Sequence, residues 1–131
     1  MTVVVDPSVV VAALVDGGGD GQWAEDVVFS HPLAAPHVLP VEVANVLRRA
    51  ARAEQISADV AALAHADLLD LAVELVEYEA VAARAWELRD SLSVYDGWYV
   101  AVAEALNAPL ATLDRRLAAS PAVRCELLLP D

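Results

Sequence analysis

Apolar positions along the chain follow two alternating rhythms. One is a short apolar run, continuous in Thr2–Val5 and found again within "PLAAPHVLP" from Pro32, "PLATL" from Pro109 and "RCELLLP" from Arg124. Such runs predict short strands, with Thr2–Val5 a buried parallel one. A related stretch, "AVELVEY" from Ala72, alternates its acids with aliphatic residues and predicts a strand with one wetter face. The other rhythm is helical. It is clearest over Val41–Glu54, where Val43, Val46, Leu47 and Ala50 share one face. Further helices are predicted over Ser8–Val15, Gln22–Phe29, Ala58–Asp70 behind a Ser57 cap, Val81–Leu92 and Asp96–Leu106, with a short helical turn at Arg115–Ala119.

Strands alternating with helices predict an α/β fold, with a central, mostly parallel sheet of about five strands flanked by helices. At 131 residues the length predicts one domain over 1–131. "DGGGDG", from Asp16 to Gly21, joins two short helices and predicts a flexible loop, not a boundary.

Composition narrows the classes. The first apolar stretch is interrupted by Asp6 and stops at Asp16, short of the roughly 20 residues a membrane span needs. No basic segment precedes it, so no secretory leader is expected and a cytoplasmic location is the default. Cys125 is the single cysteine, expected to pack as a small hydrophobe. His31, His37 and His65 have no mutual metal spacing. Trp23, Trp86 and Trp98 fall on helices and are expected mainly in the core. Eight basic residues, all arginine, face 20 acidic ones, for a net charge of −12. That balance disfavours binding nucleic acid through overall charge; it suits a divalent cation or a basic partner.

Four of the acids fall at the ends of predicted elements. Asp6 and Asp114 end strands, while Glu42 and Asp96 open helices. In an open α/β sheet, ligands bind at the carboxyl ends of strands, near a reversal of strand order. Helix N-termini also tolerate anions. Each acid taken singly is equally an ordinary cap or turn residue. If the four converge, their repulsion calls for a cation, and hard oxygen ligands suit Mg²⁺ or Mn²⁺.

Three blocks, "VVVDPSVVVAALV", "LPVEVANVLRR" and "VYDGWYVAVAEALNAPLATLDRRL", together resemble the PIN domain, and more narrowly the VapC-type toxins. The likeness runs from Asp6 to about Leu117, and its acids stand in order at sensible separations. One departure is Gly97 followed by Trp98, where the family often has alanine after the third acid. The resemblance implies a single PIN-like domain and a Mg²⁺- or Mn²⁺-dependent endoribonuclease, the toxin of a type II toxin–antitoxin pair. It makes Asp6, Glu42, Asp96 and Asp114 the metal-binding, catalytic acids, supported by Ser8, Asn45 and Thr112. It implies a VapB-type antitoxin, a homodimer or higher toxin–antitoxin assembly, no membrane, and products with a 5′-phosphate and a 3′-hydroxyl. Arg48, Arg49, Arg52, Arg115 and Arg116 are the candidates for holding RNA against so acidic a background. The competing reading is a non-catalytic PIN-like module that docks a protein partner. Phosphate-accepting receiver domains and haloacid-dehalogenase-like phosphatases need a lysine, and the chain has none.

Overall fold

A computed structural model describes all residues from Met1 to Asp131. Five strands, β1 (Val3–Val5), β2 (Leu33–Pro36), β3 (Val73–Val76), β4 (Leu110–Ala111) and β5 (Leu127–Leu128), form one sheet in the order β3-β2-β1-β4-β5. Every pairing is parallel, so the sheet is wholly rather than mostly parallel. The register sets Val3 beside Leu33 and Val4 beside Leu110. Strand order grows from β1 to β3 on one side, then jumps back across β1 to β4. The reversal therefore lies between β1 and β4.

Six helices cover this sheet: α1 (Pro7–Val15), α2 (Gly19–Ser30), α3 (Leu39–Arg52), α4 (Ala58–Asp70), α5 (Tyr78–Glu87) and α6 (Val94–Leu106). Helix α1 packs on α2, α3 and α4; α6 lies on β1, β2 and β4 with α5 against it. Val3, Val4 and Val5 are completely buried although their side chains alternate in direction, so both faces of the central strand are covered. That is why the run is continuously aliphatic. β3 is an edge strand, and Glu74 and Leu75 are both exposed.

Several boundaries differ from the sequence reading, each for a local reason. Helix α3 begins at Leu39 because Pro40 fits a first turn that has no use for its missing N–H. Helix α6 begins at Val94, capped by the Ser93 hydroxyl, which accepts from the Asp96 N–H. Asp96 thus lies inside the first turn and does not open it. Helix α5 starts earlier, at Tyr78, and ends at Glu87, short of the predicted Leu92. The glycine cluster is not all loop, since Gly19 and Gly21 belong to α2. Gly21 is buried against the preceding turn, where a Cβ would stand 1.9 Å from the Asp16 carbonyl oxygen. The residue is small because two backbones touch there.

Trp86 departs from the core expectation. It is 56% exposed, with the Arg89 guanidinium 4.6 Å above its ring. Trp23 and Trp98 pack on the core, Trp98 edge-on to Tyr78. Burial and the nearby Glu104 push the half-buried Cys125 thiol up to about 11, which fits a packing role. No helix is long and apolar enough to cross a membrane.

Candidate active site

The strand reversal between β1 and β4 sets the site. Asp6 follows β1 and caps α1, its Oδ1 accepting from the Val9 N–H at 3.2 Å. Two hydroxyls then tie it across the reversal. Ser8 Oγ donates to Asp6 Oδ1 at 2.6 Å and accepts from the Leu113 N–H at 3.1 Å. Thr112 Oγ1 donates to Asp6 Oδ2 in a short bond and accepts from the Asp114 N–H at 2.9 Å. Each hydroxyl spends its proton on the carboxylate and a lone pair on the chain leaving β4. The two relays hold the ends of neighbouring strands at a fixed separation. Thr112 is the one fully buried polar residue, which is the cost of that position and the reason its bonds are complete.

The other acids arrive from separate elements. Glu42 stands in the first turn of α3, and its Oε1 accepts the Tyr99 hydroxyl proton at 2.8 Å. Asp96 stands in the first turn of α6. Asp114 follows β4 and is clasped by Arg116: the Arg116 N–H and Nε each donate to Oδ1 at 3.0 Å, and Nη2 donates to Oδ2 at 2.7 Å. Asp96, Asp114, Arg116, Ser93 and Ser120 line a cavity of about 360 Å³ between the start of α6 and the chain after β4.

Electrostatics link the four. Burial raises Asp6 above its ordinary value against the hydrogen bonds from Ser8, Thr112 and Val9. Burial also raises Glu42, with repulsion from Asp96 and Asp6 adding to it and the Tyr99 bond opposing it. Asp96 is raised by burial and by repulsion from Asp114, opposed by Arg116 and Ser93. Asp114 alone is lowered, chiefly by the Arg116 hydrogen bond. Three carboxylates are therefore held above their ordinary range, chiefly by burial and, for Glu42 and Asp96, by neighbouring acids as well, while the fourth has found its own positive charge. As the side chains stand, no three acidic, histidine or cysteine groups are gathered closely enough to hold an ion. The donor set is nevertheless all hard oxygen, and the mutual repulsion is of the kind a divalent ion relieves.

The supporting residues divide. Ser8 and Thr112 are integral to Asp6. Asn45 is exposed, and its Oδ1 accepts from Arg48 Nε at 3.2 Å, not from the acids. Arg48, Arg49 and Arg52 lie on the exposed side of α3. Arg115 is exposed and donates from Nη2 to the Pro130 carbonyl at 2.6 Å.

Sequence reasoning missed Tyr99. It is 3% exposed, and its hydroxyl proton is held tightly by burial and by Glu42, Asp6 and Asp96, three of the four acids. The signal was its place three residues after Asp96 on the same helix, one turn along.

The model of the PIN domain family matches residues 3–122. This chain is a PIN-domain protein of the VapC family. It is 37% identical over 134 aligned residues to the ribonuclease VapC1 of Mycobacterium tuberculosis, covering 96% of each chain. Its fold resembles that of Mycobacterium tuberculosis VapC20, a sarcin–ricin loop cleaving toxin, with a TM-score of 0.67 at 20% identity over 90% of this chain and 95% of that one. It also resembles VapBC2 from Rickettsia felis, crystallised with a DNA fragment from its promoter. There the TM-score is 0.64 at 17% identity, over 97% and 98% of the two chains. Expected fold and family are thus both found.

Proposed function

We propose that this VapC-family protein is the endoribonuclease toxin of a toxin–antitoxin pair and that it works with Mg²⁺ or Mn²⁺ held by Asp6, Glu42, Asp96 and Asp114. The observation that supports the reading is that four acids from four separate elements border the strand reversal, Glu42 near enough to be repelled by Asp6 and Asp96, and Asp96 by Asp114, with a single arginine among them. A divalent ion supplies charge that offsets the negative charge developing on a phosphodiester during hydrolysis. The chain's own groups prepare the place. Ser8 and Thr112 fix both oxygens of Asp6, so its orientation is set before anything binds. Tyr99 holds one oxygen of Glu42 and leaves the other unbonded.

RNA is the proposed substrate, with Arg48, Arg49, Arg52, Arg115 and Arg116 offsetting the acidic surface along its path. All five are exposed. A VapB-type antitoxin is the proposed partner, supported by the likeness to VapBC2 and by an apolar groove of about 560 Å³ between α1 and α3. Val11, Ala12, Val15, Val46 and Leu113 line it, and Ser8 stands at its rim, so an occupant would lie beside Asp6. Exposed Val41, Val60 and Leu63 on α3 and α4 favour self-association as a homodimer, and the cytoplasm is the proposed location.

The test is cleavage of a mixed RNA pool by purified protein, with Mn²⁺ against EDTA and wild type against Asp96→Asn. Cleavage lost under both changes supports the reading. Cleavage that survives Asp96→Asn belongs to a contaminant. Mn²⁺ binding without cleavage of any RNA favours the docking module instead.

A further inference from the structure

Asp114 is the one acid of the four that already has a cation. Arg116 meets it fork to fork through Nε and Nη2, and adds its backbone N–H. The remaining arginines with described side-chain partners are engaged elsewhere: Arg48 with Asn45, Arg84 with Glu104 and Glu87, Arg89 with Trp86, Arg115 with Pro130. We propose that Arg116 is a built-in counter-ion that occupies Asp114 in the metal-free protein and must be displaced when a divalent ion loads. This rests on the metal-site reading of the four acids.

The strength of the pair suits exchange. The Arg116 side chain is 86% exposed and that of Asp114 26%, so water screens the bond and no buried charge is stranded when it opens. The Arg84–Glu104 pair, at 22% and 16%, is a more enclosed contrast. A guanidinium covering both oxygens of Asp114 leaves a divalent ion facing a positive charge across the same carboxylate. The two therefore exclude each other. Arg116 also eases the charge on Asp96, across the same cavity, as a cation there would. Once released, its side chain is a free planar donor at the rim of the site, the geometry that recognises a phosphate.

The experiment measures Mn²⁺ binding by the full chain without RNA, from the free-ion paramagnetic resonance signal, in wild type, Arg116→Ala, Arg116→Lys and Arg89→Ala. Arg116→Ala should bind Mn²⁺ about three- to fivefold more tightly, the size of an exposed pair's contribution. Arg116→Lys should fall between it and wild type, because an ammonium keeps the charge but loses the fork. Arg89→Ala removes the same charge from its seat on Trp86 and should match wild type. Affinity in Arg116→Ala that is unchanged or weaker overturns the proposal while leaving the metal site standing. Wild type that binds no Mn²⁺ overturns the metal site, and the counter-ion role with it.

Discussion

Replacing Thr112 with valine keeps the shape of the side chain and removes only its hydrogen bonds. The site is fully buried, so no new cavity opens and the loss is electrostatic. Two bonds vanish together: the one donated to Asp6 Oδ2 and the one accepted from the Asp114 N–H. A bond to a charged acceptor contributes about 1.5–3 kcal/mol, and a stranded backbone donor costs about 1 kcal/mol. Thr112→Val should therefore lose about 3 kcal/mol, or about 10 °C in Tm for a chain of this length. Thr112→Ser keeps the hydroxyl and gives up one methyl group, costing about 1 kcal/mol. The assay is urea unfolding of both variants and wild type in EDTA at neutral pH. The ordering wild type, serine, valine is the expected result. The gap between serine and valine should narrow in acid, as Asp6 takes up a proton and ceases to be a charged acceptor. Valine as stable as serine would refute the claim that this hydroxyl joins the two strand ends.

Metal-free stability should rise as the pH falls from neutral toward mild acid. Asp6, Glu42 and Asp96 are all raised by folding, so the native state binds more protons than the unfolded chain between their ordinary values of 3.8, 4.5 and 3.8 and their higher folded ones. Asp114 is lowered, so its contribution runs the other way and is lost below its ordinary 3.8. Thermal melts in EDTA across pH check this; a flat profile would mean that folding does not raise these acids. Asp96→Asn should weaken Mn²⁺ binding at least tenfold while leaving metal-free stability within about 1 kcal/mol, because lost repulsion offsets lost charge–dipole attraction. A sharp drop in metal-free stability would make Asp96 chiefly a helix-end residue. Reversing Arg48, Arg49 and Arg52 to glutamate should weaken RNA binding severalfold with an unchanged melt, since all three are exposed. Unchanged RNA affinity, measured by filter binding at fixed salt, rules out a path along α3. Gly21→Ala should cost several kcal/mol, because its methyl group meets the Asp16 carbonyl at 1.9 Å, and a melt reads it directly.

How far the sequence was legible follows from the range of each interaction. Val3 to Val5 announced a central strand because burial on both faces leaves no polar position to confuse the pattern. The four acids could be set at element ends because strand and helix periods are local. The strand order was not readable, since pairing β1 with both β2 and β4 is a long-range choice. Ser93 was legible in principle: a serine three residues before an acid is a helix-start signature. Gly21 looked like part of a loop because nothing local reveals that Asp16 folds back on it. Arg116 was read as a candidate for RNA, not as the partner of Asp114. A pair two residues apart meets only in a particular turn, and no periodicity predicts the turn. Asn45 was named a supporting residue by resemblance, yet one turn of helix brings it to Arg48, and that contact forms.

The bond between Thr112 and Asp6 spans 106 positions of sequence. During synthesis, Asp6 leaves the ribosome 106 positions ahead of its hydroxyl partner from β4. Domains fold as units while the chain emerges at about 5–20 residues per second, so for several seconds the chain carries one acid of the set without its anchor. A nascent polypeptide lacking Asp114 has only three of the four acids. The order of the strands thus acts as a clock: the four acids cannot come together until the chain has emerged past β4.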